Sequence, residues 1–95
     1  MFGASFNVRI KGVISDKTGK HIPDAFVRLE PLGGGRSTEV RSDADGSYIV
    51  SMVHAPFLAG RLRLSVTKEG YEPFVRDFES NERHTCDVKL APLGS

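Results

Sequence analysis

Arg61-Leu62-Arg63-Leu64-Ser65-Val66-Thr67 is the stretch on which the fold turns. Apolar Leu62, Leu64 and Val66 alternate without a break with charged or hydroxylated residues, which is the period of a β-strand with one face in a core. A helix would scatter the same three side chains around its circumference.

The same period runs outward in both directions. Upstream, Phe6, Val8 and Ile10 alternate with Asn7, Arg9 and Lys11, and Ala25, Val27 and Leu29 face in while Arg28 and Glu30 face out. Pro31 closes that second strand because it cannot donate to a ladder. Arg36 to Ser42 reads as a third strand, polar enough for a sheet edge, and Ser47 to Met52 as a fourth with Tyr48 and Val50 on one face. Downstream, a sixth strand lies around Phe74 to Phe78, and Cys86, Val88 and Leu90 alternate with Asp87 and Lys89 in a seventh. Turn chemistry separates the runs. Asp16 to Lys20, Lys68-Glu69-Gly70 and Ser80 to Arg83 are turns, and Asp43-Ala44-Asp45-Gly46 carries the Asp-Gly pair that is the strongest short-range hairpin signal. The connection from Val53 to Ala59 stays unassigned. The expected fold is an all-β, seven-stranded antiparallel Greek-key sandwich.

At 95 residues there is room for one core. Residues 1–5 read as an N-terminal tail, 6–91 as a single module, and 92–95 as a linker or cloning remnant. The N-terminus has neither the basic nor the apolar region of a signal peptide. Net charge is +1, with basic and acidic residues interspersed, so no field gathers nucleic acid. The longest weakly apolar stretch, Met52 to Gly60, is interrupted by His54 and Pro56, so no direct membrane insertion is expected. The single cysteine, Cys86, sits in a strand-like run and reads as a buried, inert thiol.

Chemistry-bearing motifs are sparse. His21, His54 and His84 have separations that fit no metal signature. Asp43-Ala44-Asp45-Gly46, even with help from Glu39, is an incomplete calcium ligand set, since Arg41 stands where an upstream acid belongs. The triple glycine at Gly33 lacks the Lys-Ser/Thr that would hold phosphate. No catalytic residue, cofactor or metal is expected.

Three spans resemble the carboxypeptidase regulatory-like domain family. Val13-Ile14-Ser15-Asp16 through Gly19 and Ile22 to Leu29 look like its opening signature, Ser42 to Tyr48 like its central hairpin, and Leu64-Ser65-Val66 with Glu69-Gly70-Tyr71 like its late strand and Gly-Tyr turn. The resemblance implies a transthyretin-like sandwich without chemistry of its own, in which Tyr48 and Tyr71 cover the ends with rings packed and hydroxyls wet. It also implies an extracellular, cell-surface or periplasmic setting. Two active relatives of that fold fit poorly. Hydroxyisourate hydrolases carry a histidine where this chain has Val13 and an arginine where it has Ser47. Sandwiches that form an internal isopeptide bond need a lysine at Ile14 and a glutamate near Val66.

The leading expectation is therefore a non-catalytic structural or protein-interaction module of a larger protein. Its partners would be neighbouring domains of the parent protein or a protein partner, and it would be monomeric when isolated. Thr38 and Val40 on the polar third strand are candidate partner-binding residues through strand addition. His54, Phe57 and Leu58 are the others, because apolar side chains in a connecting loop are costly to leave in water. The alternative, a carbohydrate-binding module, lacks exposed flat aromatics, with no tryptophan and two tyrosines.

Overall fold

The computed structural model describes residues 6–32, 36–54, 61–79 and 83–93. Eight strands follow in chain order: β1 (Phe6–Ser15), β2 (Phe26–Pro31), β3 (Thr38–Arg41), β4 (Ser47–His54), β5 (Arg61–Thr67), β6 (Phe74–Glu79), β7 (Arg83–Thr85) and β8 (Val88–Lys89). They form two sheets. One has the order β3-β2-β5-β6, all antiparallel; the other places β1 between β4 and the β7–β8 pair. The inward residues read from the alternation meet between the sheets: Val8, Ile10, Val27, Leu29, Val50, Leu62, Leu64, Val66 and Val88 are all fully buried. Each contributes about 1.5–3 kcal/mol relative to exposure, and this shared interior makes the molecule one sandwich.

Three details depart from the sequence reading. The Asp43–Gly46 turn does not close a ladder between β3 and β4. It is a corner that hands the chain from one sheet to the other, closed by Gly46 N–H to Asp43 O (2.9 Å) and Asp43 N–H to Ser47 O (2.8 Å). Turn residues set the local reversal; which strand lies alongside is decided by burial on both sides. Second, backbone contacts with the sandwich continue past residue 91. Tyr71 bridges to Pro92, and Leu93 N–H donates to Gly70 O at 3.0 Å.

Third, the expected seventh strand is two, and both pair parallel to β1, with Lys11 beside Thr85 and Ile14 beside Val88. Between them the chain leaves the ladder at Cys86 and Asp87. Cys86 N–H still donates to Lys11 O (2.7 Å), but the Cys86 carbonyl turns into the interior, where the Tyr48 hydroxyl donates to it at 2.6 Å. The Val13 N–H that loses a ladder partner donates instead to Asp87 Oδ1 at 3.0 Å. The Tyr48 hydroxyl is thus buried and bonded rather than wet, with the residue only 2% exposed. Burial, then the Cys86 contact, push its phenol pKa upward.

Turn aspartates hold the connections. Asp16 Oδ1 accepts from Thr18 Oγ1 (2.7 Å), Thr18 N–H (2.9 Å) and Lys20 N–H (3.0 Å), and Asp45 Oδ1 accepts from Ser47 Oγ (2.7 Å) and its N–H (3.1 Å). The hydroxyl bonds from Thr18 and Ser47 lead in holding both carboxyls below their ordinary value of 3.8, and the Arg63 guanidinium does the same for Asp77. A carboxyl with a lowered folded pKa stabilises the fold above the ordinary value and loses that contribution as pH falls through the folded one. We therefore expect the urea midpoint to fall as pH is lowered from 5 through the carboxylate range, and the Asp16→Ala/Asp45→Ala double variant to show a shallower fall. Equal slopes in the two chains would show that these turns do not carry the acid sensitivity.

Candidate functional site

The sequence reading pointed to one sheet edge and one loop. β3 is indeed an edge strand. Its pairing with β2 continues into Ser42, whose N–H donates to Ala25 O at 3.0 Å. Alternation in an antiparallel ladder then directs the backbone groups of Thr38 and Val40 at β2 and those of Glu39 and Arg41 at the open side. Val40 also packs against the core. So Thr38 and Val40 lie on the edge but spend their backbone groups internally, and the positions open to a partner carry charges. Arg41 is held 3.5 Å from Asp24 and lies over the Phe26 ring at 5.6 Å, while Glu39 lies 3.8 Å from Arg28. Asp24, Phe26, Arg41 and Lys68 line a surface depression of about 450 Å³.

His54 is the last residue of β4, opposite Phe6 of β1. Phe57 and Leu58 lie outside the described residues, so the structure does not unite the loop candidates with Thr38 and Val40.

Other chemistry-bearing groups are dispersed. His21 bridges to Ser15, and His84 on β7 packs its ring against Phe78 with centroids 4.6 Å apart. Arg76 lies over the same Phe78 ring at 5.1 Å, with its guanidinium 3.8 Å from the buried Cys86 Sγ. Among the described residues no three His, Cys, Asp or Glu side chains come together as a metal site would need. Asp43 and Asp45 turn toward Ser47, and Glu39 toward Arg28 on a sheet face, so the calcium reading loses its assisting ligand.

β4 is the other open edge on the same side, and Ser47-Tyr48-Ile49-Val50-Ser51-Met52-Val53-His54 contains no acidic or basic residue other than its terminal histidine. Ile49 is 60% exposed. The run was legible as uncharged; that it lies at an edge was not.

Polar groups committed to turns and sheet faces around one apolar interior define a small β-sandwich domain. The chain belongs to the carboxypeptidase regulatory-like domain family, whose model matches residues 9–91. That family is regulatory and non-catalytic. No curated protein sequence matches the chain. Among solved structures it is similar to 3-chlorocatechol 1,2-dioxygenase from Rhodococcus opacus 1CP, with a TM-score of 0.71 and 11% identity over 96% of this chain and 62% of that one. Catechol 1,2-dioxygenase from Pseudomonas arvilla C-1 gives 0.73 and 10% over 99% and 55%. The Bacillus anthracis TIE protein gives 0.64 and 17% over 92% of this chain but 17% of its own. Identities this low show the fold alone, and this chain spans little more than half the length of the dioxygenases.

Proposed function

We propose that this chain is a non-catalytic structural or protein-interaction module within a larger protein. Family membership across residues 9–91 carries the reading. It is supported by polar side chains that are tied to turns and sheet faces. In the sequence, apolar Phe57 and Leu58 follow β4 in a connecting segment, a composition that suits contact with a neighbouring domain.

The dioxygenase neighbours supply the sharpest test. The 95-residue chain, incubated with catechol or chlorocatechol with and without added divalent and trivalent metal ions, is expected to consume oxygen no faster than the metal ions alone. Turnover above that level, lost when the chain is denatured, would overturn the module reading.

A further inference from the structure

The two sheets have four edges among the described residues, and three are protected. The open-side positions of β3 are Glu39 and Arg41, both charged. On β6 the same alternation, followed through the β5 register, points Val75, Asp77 and Glu79 outward, and Arg76 projects inward beside Phe78. The remaining edge consists of β7 and β8, only three and two residues long. Short edges, charged edge positions and inward-pointing charges are the means by which sheets avoid adding strands.

β4 has none of these. It is eight residues long, with no proline, no glycine and no carboxylate, lysine or arginine. Its ladder with β1 fixes which groups are open. Ile14 N–H donates to Gly46 O at 2.8 Å, so Tyr48, Val50 and Met52 continue that bonding toward β1. Ser47 is occupied by the corner, its N–H on Asp45 Oδ1 and its carbonyl on Asp43 N–H. The N–H and C=O groups of Ile49, Ser51 and Val53 therefore face the open side, and no partner meets them among the described residues.

These positions are self-complementary. Two β4 strands set antiparallel about a two-fold axis at Ser51 place Ser51 opposite Ser51 and Ile49 opposite Val53 of the second copy. All the open N–H and C=O groups on both strands then pair, no like charges meet, and a hydroxyl opposes a hydroxyl. The nearest cations on the outer face, Arg9 and Lys11, sit one strand back, beside Ser51 and Ile49. Arg9 is then three strand spacings from its counterpart, about 14 Å, beyond the screening length at physiological salt.

In place of the monomer expected from the sequence, we propose that the β4 edge is the docking site for a second copy of this chain, which joins the two β4–β1 sheets into one continuous sheet across a two-fold axis at Ser51. The closed symmetry uses up both open edges, so assembly stops at two.

Sedimentation of the 95-residue chain over a range of concentration is expected to show a reversible rise in mass from 10.4 kDa toward twice that value. Hydrogen exchange in the dimer should slow at the Ile49, Ser51 and Val53 amides, while those of Glu39 and Arg41 on β3 keep their rates. Ser51 is exposed, so Ser51→Lys and Ser51→Glu should fold as wild type by circular dichroism. Each alone should weaken dimerisation at least tenfold by setting like charges across the axis, and an equimolar mixture should recover a heterodimer. Glu39→Lys on β3 should change nothing. A chain that stays monomeric to millimolar concentration overturns the proposal, as does a dimer insensitive to Ser51→Lys or one whose two single variants fail to recover on mixing. Open-ended aggregation in place of a dimer also overturns it.

Discussion

A Gly12→Ala chain is expected to unfold at a much lower urea concentration than wild type, with a loss of at least ~3 kcal/mol, the upper range for overpacking a filled interior. Gly12 lies inside β1 and faces the interior, where a Cβ would sit 2.6 Å from the Cys86 carbonyl carbon and well inside contact distance of its oxygen. That carbonyl cannot move back into the ladder at no cost. It accepts from the Tyr48 hydroxyl at 2.6 Å, and the ladder position it left is filled by the Asp87 carboxylate on Val13 N–H. One methyl group therefore strains a linked set: the strand break, the buried phenol and the carboxylate cap. Gly19→Ala is the informative control. Gly19 has a φ of 92° but no atom within 4 Å of a Cβ position, so its loss is the ~1–2 kcal/mol of forcing a side chain into left-handed backbone. If Gly12→Ala costs no more than Gly19→Ala in urea melts, the close approach of Cys86 does not explain why the last strand divides.

That contrast shows how far the sequence reaches. Alternation on β2 and β5 identifies their inward residues because a strand with one wet face must repeat every two positions, a purely local constraint. The β5 bounds, Arg61–Thr67, coincide with the run of alternation itself. Partner choice is not local. Nothing in Cys86-Asp87-Val88 says that these residues lie parallel to β1, since parallel pairing depends on where the intervening strands have taken the chain. Gly12 reads as filler in a strand until Cys86 is placed beneath it. In the same way, Asp45-Gly46 specifies a tight reversal, but a reversal serves a hairpin or a corner equally well, and only burial of Tyr48 on one sheet and packing of Val40 on the other selects the corner. The candidate edge shows this limit again: Thr38 and Val40 are polar-strand residues on an edge, yet the register gives their backbone groups to β2. The uncharged run at β4 was visible but unremarkable without its position.

Ser42→Ala is the second change expected to cost heavily, about 2–4 kcal/mol, because it orphans two backbone groups. Ser42 is only 6% exposed and is the buried polar residue of the described core. Its hydroxyl accepts from Ala25 N–H at 2.8 Å and donates to Ile22 O at 3.0 Å. The need arises one residue away. Asp24 has a φ of 59°, and its N–H, rather than that of Ala25, reaches the Ser42 carbonyl at 3.0 Å. The Ala25 N–H is left inside the sandwich with no ladder partner, and the serine side chain stands in for one. Alanine at position 42 removes that acceptor without making room for a water molecule, since the hydroxyl occupies little more than the space of its own oxygen. The Ala25 amide should then exchange with solvent at least tenfold faster, and the urea midpoint should drop. Ser42→Cys, of similar shape but a poorer hydrogen-bonding group, should fall between wild type and alanine. An alanine variant of wild-type stability, with the Ala25 amide still protected, would mean that the Asp24 distortion relaxes and Ala25 recovers an ordinary ladder bond. The left-handed Asp24 would then be a consequence of the serine rather than the reason for it.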